Sequence, residues 1–302
     1  MLRRLIPLLL TGLTASATLA QTQPAPNLPA ASQHPTTAFS SIRGLFDIDL
    51  PELDPPGTIK LIFRPHVSDV VRRDYLRTEV GLRWALNDEF EINSEAATFL
   101  THGFGDPAGY GIGELHFGTK YIFPRWLRPD CEASVSLNID LPVGRPPLDF
   151  TDGLDHYSPG MVVQHHSARN PRLTTFSGAS VDLIAHSPVS GVIQPNQPRD
   201  DSISVTAGAV YEIGQIKWTL AGTYTTTALI GGASDHFFYL QPSLLWYVPK
   251  KLTFNSKTQW IVGFGAPVTW GPDGSEFKVT SRLRAEITFR QVMDNIRMRV
   301  TR

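Results

Sequence analysis

The chain has 302 residues, with 27 Lys and Arg against 28 Asp and Glu, and a formal net charge of −1. That balance gives no basic surface for nucleic acid, and the single cysteine, Cys131, excludes an internal disulfide and any cysteine-based metal set. Beyond residue 20 no apolar run approaches the ~18 residues of a membrane-spanning helix, so a membrane location would require strands.

Residues 1–20 have the order of a cleaved secretory signal peptide. Arg3 and Arg4 start it, an apolar run over 5–13 follows, and Thr18-Leu19-Ala20 precedes Gln21 as a small-x-small cleavage site. The run is too short for an anchor, no cysteine follows it as a lipoprotein would need, and the Arg pair lacks the rest of a twin-arginine pattern. Residues 21–56 are rich in Pro, Ala, Ser and Thr, and end in an amphipathic piece over 42–50. They read as a periplasmic linker lying against the next domain or as a plug entering it, and composition leaves both open.

From Gly57 the chain alternates between apolar and polar residues, the period-2 signature of two-faced strands. Leu76, Thr78, Val80, Leu82, Trp84 and Leu86 share one face, and Arg77, Glu79, Gly81, Arg83 and Ala85 the other. Asn87-Asp88 then forms a tight turn, and Phe90, Ile92, Ala96, Thr98 and Leu100 resume the apolar face. Leu115, Phe117, Thr119, Tyr121 and Phe123 define a fourth strand, and Ala133, Val135, Leu137, Ile139 and Leu141 a fifth. A sixth, over 157–166, has a mixed face and Pro159, so ten strands stay possible beside twelve. Later apolar faces run Ile203 to Tyr211, Ile216 to Tyr224, Phe238 to Val248, Leu252 to Phe264 and Phe277 to Phe289. The last of these resembles the C-terminal recognition strand read by the barrel-assembly machinery, although residues 291–302 follow as a periplasmic extension.

Links between strands tend to alternate short and long. Asn87-Asp88, residues 168–171, Gly214-Gln215 and residues 249–251 fall on one end; 101–110, 143–156, 187–200 and 266–276 fall on the other. Outer-membrane barrels have short periplasmic turns and long outer loops. The expected fold is therefore all-β: a closed antiparallel transmembrane β-barrel of about twelve strands over residues 57–290. A soluble sandwich has strands of about five or six residues; these segments are longer, near the ~9–11 tilted residues that cross a bilayer. Aromatics near segment ends, such as Trp84, Tyr121, Trp126, Trp218 and Trp246, suit interfacial girdles.

The stretch from Tyr75 through Arg77-Thr78-Glu79-Val80-Gly81-Leu82-Arg83-Trp84 to Ile92, the motif Gly111-Ile112-Gly113-Glu114-Leu115-His116-Phe117-Gly118-Thr119-Lys120-Tyr121, and Leu141-Pro142-Val143-Gly144 and His156-Tyr157-Ser158-Pro159-Gly160 resemble a family of bacterial outer-membrane β-barrels. That family is assigned to transport in the meta pathway of phenol degradation. The likeness covers residues 57–160 and rests mainly on alternation thereafter. It implies an outer-membrane channel or uptake protein for aromatic or other small apolar molecules, and it has no catalytic residues to carry over.

If apolar side chains face lipid, the opposite parity lines the interior. Lys60, Arg64, Arg77, Arg83, Lys278, Arg282 and Arg284 then form a basic wall, and Glu89, Glu91, Glu95, Glu114, Glu132 and Asp140 an acidic wall beside it. Buried charge needs partners or water. The expected function is passive uptake of a small-molecule solute through a narrow pore with a transverse field. The alternative is a non-conducting structural or surface-interaction barrel closed by salt bridges. A hydrolase is the weaker reading, because Ser256 and Ser281, the lipid-facing serines, have no histidine on the same face of an adjacent strand. No cofactor is expected; outer-membrane lipids and the assembly machinery are the other expected partners. An acidic loop over 149–155 lacks the spacing of a calcium loop and could instead fold inward with Phe150 at its tip. His165 and His166 point to opposite faces of a strand and make no metal pair.

Overall fold

A computed structural model of the chain describes residues 50–66, 75–101, 109–147, 150–151, 153–186, 201–227, 235–254, 256–272 and 274–289. The expected signal peptide, the expected C-terminal extension and residues 21–49 of the linker lie outside these.

The strands are β1 (Ile59–Pro65), β2 (Tyr75–Ala85), β3 (Phe90–Thr101), β4 (Tyr110–Phe123), β5 (Cys131–Pro142), β6 (Leu154–His166), β7 (Leu173–His186), β8 (Ser202–Ile213), β9 (Ile216–Thr227), β10 (His236–Tyr247), β11 (Gln259–Gly265), β12 (Val268–Gly271), β13 (Gly274–Phe277) and β14 (Thr280–Thr288). Each of β1 to β9 pairs antiparallel with the next. β11 pairs with both β10 and β14, and β14 pairs with β1, so the sheet closes on itself. Two of the staves are interrupted. β12 continues β11 along β10 after Ala266-Pro267, and β13 runs into β14 through Lys278-Val279. Pro267 has no N–H for the ladder, which accounts for the first break. The ring therefore has twelve staves.

The sixth strand, left open between ten and twelve, is formed: β6 pairs with β5 over ten residues including Pro159 opposite Leu137. Its pairing with β7 skips from Tyr157 to Gly160, where Pro159 has no donor to offer. Three expectations need correction. Leu252 and Phe254 are not on a strand; Lys250–Thr253 is a 3-10 turn closed by Phe254 in the left-handed region (φ 53°). Ser256 accordingly sits in the connection before β11 and not on a lipid-facing strand. Residues 266–276 are not a loop but mostly the β12–β13 hairpin, turning between Gly271 and Gly274.

Exposure is inverted relative to a water-soluble fold. On β2, β3, β5 and β9 the residues of one parity, including Leu82 (44%), Leu100 (53%), Leu137 (42%) and Leu220 (53%), are exposed. Those of the other parity, including Glu91 (1%), Asn93, Glu95 and Thr225, are buried. A closed wall of one strand layer can bury only its inner face, so period 2 in the sequence becomes polar-in and apolar-out. β2 to β10 have 11 to 14 residues each, enough to cross a bilayer at a tilt. The closing seam is thinner than its neighbours: β1 and β14 share four paired residues, against eleven between β2 and β3.

Candidate functional site: the barrel lumen

The inward parity of β14, β1, β2 and β3 packs charge against charge. Arg64 on β1 reaches Glu79 on β2 (Nε to Oε2, 3.2 Å) and forms a buried ion pair with Glu95 on β3. Gly81 makes that reach possible. It stands opposite Glu95 in the register, and a Cβ there would lie 2.4 Å from Glu95 Cγ. Arg83 approaches Glu91 (3.5 Å). Lys60 bridges Glu286 (3.2 Å) across the seam and also Asp54 (2.6 Å), while Arg284 contacts Glu286 at 2.5 Å.

The acidic residues of β4 and β5 belong to the same network. Arg77 Nη2 donates to Glu114 (3.1 Å), His116 contacts Asp140 (2.8 Å) and Glu114 (3.5 Å), and Glu132 accepts from Gln164 (2.7 Å). The structure therefore places Lys60, Arg64, Arg77, Arg83 and Arg284 beside carboxylates. Adjacent basic and acidic walls become one interleaved belt. Glu79, Glu286 and Lys120 belong to it too; Glu79 and Glu286 share the parity of Arg77 and Arg284, and alternation alone would have found them. Arg282 is half-buried on the inward parity of β14. Glu89 and Lys278 lie elsewhere. Glu89 is in the β2–β3 turn, accepting from Tyr121 Oη (2.6 Å), and Lys278 is at the rim beside Glu276 (3.1 Å). Removing one partner of a buried pair leaves an uncompensated charge, at about 3–5 kcal/mol.

Across the barrel the lining changes to hydroxyls. Ser180, Ser202, Ser204, Thr206, Thr223, Thr225 and Ser243, on β7 to β10, are buried on the inward parity. Cross-strand pairs form between Ser204 and Thr225 (2.8 Å) and between Thr206 and Thr223 (2.8 Å). Asp182 binds both His156 (2.9 Å) and Ser158 (2.9 Å). The carboxylate thus stands between histidine and serine, whereas a serine–histidine–carboxylate triad places the histidine in the middle.

Two segments enter the lumen from its ends. At the long-loop end β4 carries a bulge. Ala97 pairs with Glu114 and Thr98 with Ile112, so Gly113 has no partner on β3, while its carbonyl accepts from Val143 N–H (2.9 Å). Phe150 fills the space beside it, since a Cβ on Gly113 would lie 2.4 Å from Phe150 Cε1. Its ring packs on Tyr75 and Phe99 (centroids 5.6 Å in each case), and Arg77 lies 4.8 Å over it while donating to the Phe150 carbonyl (3.2 Å).

At the short-turn end residues 50–54 form a strap. Lys120 Nζ donates to the carbonyls of Leu50 (3.2 Å) and Glu52 (2.9 Å), and Gln164 Nε2 donates to that of Pro51 (3.2 Å). Leu50 packs against Val162, Phe176, Val210 and Ala221, all on the inward parity. With Asp54 held by Lys60 on the far side, the strap runs across the mouth from β6–β9 to β1.

No family model matches the chain, and no curated protein matches it. Among solved structures it is similar to an outer-membrane channel from Pseudomonas putida F1, at 12% identity and a TM-score of 0.50, over 79% of this chain and 97% of that one. The KdgM porin (8%, TM-score 0.38) and the NanC porin (10%, TM-score 0.41) each overlap 77% of this chain and 98% of their own. The first likeness shows the twelve-stave barrel fold; the other two are too distant to add to it.

Proposed function

We propose that this protein is a passive outer-membrane channel for small molecules, exported by a cleaved signal peptide. The observation that carries the reading is the inverted barrel: an apolar outer belt, and an interior whose charged and hydroxyl faces line a single closed ring. The charged and hydroxyl side chains that face inward from β1 to β10 are the polar lining that passage of a hydrated solute needs. The short-turn end is assigned to the periplasm, which makes the 50–54 strap a periplasmic partial plug. Lys60, Arg64, Arg77, Arg83, Arg282 and Arg284 with Glu91, Glu95, Glu114, Glu132 and Asp140 are the pore-lining charges. Lys278 and Glu89 act at the two rims.

The Tyr75–Phe99–Phe150 cluster beside Arg77 narrows the outer half. Aromatic rings under a guanidinium suit a flat aromatic solute, in line with the family resemblance to transport for phenol degradation. A closed structural barrel is the second reading, favoured by the density of salt bridges and by the strap. Purified protein in planar bilayers separates the two. Conductance steps, with flux of aromatic solutes into liposomes, are expected; silent membranes containing folded barrel would refute the channel.

A further inference from the structure

The outer face of the barrel carries a second feature, at the short-turn end. The β4–β5 turn, residues 124–130, places two non-glycine residues in the left-handed region, Arg125 (φ 56°) and Leu127 (φ 61°). Each costs roughly 1–2 kcal/mol relative to an ordinary conformation, so the turn is held against local preference. Its effect is to hold Leu127 out at 80% exposure, next to exposed Arg128. Beside them is an open groove of about 520 Å³ lined by Trp126, Leu127, Arg128, Cys131, Val163, His165 and Ser177. Cys131 and His165 are register partners on β5 and β6, and Val163 and Ser177 on β6 and β7, all on the outward parity. The groove is therefore on the wall that the proposed function turns toward lipid.

We infer that this groove binds one phospholipid of the periplasmic leaflet, with the phosphate on Arg128 and an acyl chain along Leu127, Trp126 and Val163. Charge and polarity both match that occupant. The turn has two guanidiniums, Arg125 and Arg128, against one carboxylate, Asp130. Asp130 is already engaged by His165 Nε2 (2.8 Å), and a hydrogen bond from its own backbone amide, aided by His165 and Arg128, holds it below the usual carboxylate range. An arginine at the rim of an apolar slot suits an anionic headgroup joined to hydrocarbon. Trp126, packed on Phe123 at 5.3 Å, sits where an interfacial aromatic belongs.

The inference rests on the membrane half of the channel reading, and two measurements keep them apart. Full-length protein is reconstituted into nanodiscs of phosphatidylglycerol and phosphatidylethanolamine, then released for native mass spectrometry. Wild type is expected to keep one phospholipid, and Arg128→Glu to lose it at least ten-fold more readily with its barrel intact. Equal retention by both proteins, or release of the lipid by millimolar inorganic phosphate alone, would overturn the site. Bilayer conductance on the same preparation tests the channel separately. A silent barrel that still retains the lipid refutes only the pore, and a conducting one that retains none refutes only the groove.

Discussion

Lys120→Met tests the strap most directly. Lys120 Nζ makes two charge-assisted hydrogen bonds to the strap, at 3.2 and 2.9 Å. Such bonds contribute about 1.5–3 kcal/mol each, so the pair holds the strap by at least ~3 kcal/mol. Methionine preserves the stem and removes the donor. At a factor of ten per ~1.4 kcal/mol, the ratio of seated to unseated strap should fall by about 150-fold. Gln164→Leu removes one neutral bond to the strap, at Pro51, worth about 1 kcal/mol and roughly a five-fold shift in seating, and also the bond to Glu132 within the wall. The assay is single-channel recording of open probability at low voltage, with retention of the compact barrel on unheated gels as the folding control. The expected order is wild type lowest, Gln164→Leu next, Lys120→Met highest. Equal open probability in all three folded proteins would refute the reasoning, since the strap would then not limit passage.

Gly113→Val should raise unitary conductance, because its side chain would occupy the Phe150 site (2.4 Å) and overlap Pro146 (2.8 Å), driving that segment out of the lumen; unchanged conductance in planar bilayers would contradict the constriction. Arg64→Met takes the cation from Glu95, while Glu79 keeps His66 and Arg77, and should lower barrel stability by about 3–5 kcal/mol in urea-unfolding titrations. Adding Glu95→Leu should recover part of that loss, whereas a purely additive double variant would argue against the pair. Pro159→Val supplies a backbone donor where β6–β7 pairing is interrupted, and slower hydrogen exchange near Val181 is expected by mass spectrometry.

Much of the fold was legible because alternation maps directly onto the two faces of a one-layer wall. Leu82 and Glu91 were assigned to their faces from parity alone. Parity names a face but not a partner. It could not show that Arg64 reaches across β2 to Glu95, because that contact depends on stagger and on the missing side chain of Gly81. The 3-10 turn at Lys250–Thr253 was misread since Leu252 and Phe254 happen to fit the outward period, while nothing local forces an extended backbone before Gln259. The β12–β13 hairpin was hidden by Pro267, whose lost donor interrupts a stave without ending it. The serine and threonine lining of β7 to β10 carried no charge signal, and its hydroxyls only become a surface once four strands stand side by side. The groove at Arg128 depends on left-handed backbone at Arg125 and Leu127, which no residue-type preference at those positions announces.

The unequal pairing around the ring has a mechanical consequence. A hoop fails where its joint is thinnest, and the joint between β1 and β14 holds four residue pairs, against seven between β1 and β2 and eleven between β2 and β3. Pulling the chain by its N-terminal side should therefore peel β1 from β14 before the β1–β2 hairpin opens. The Lys60–Glu286 bridge acts as the rivet across that joint.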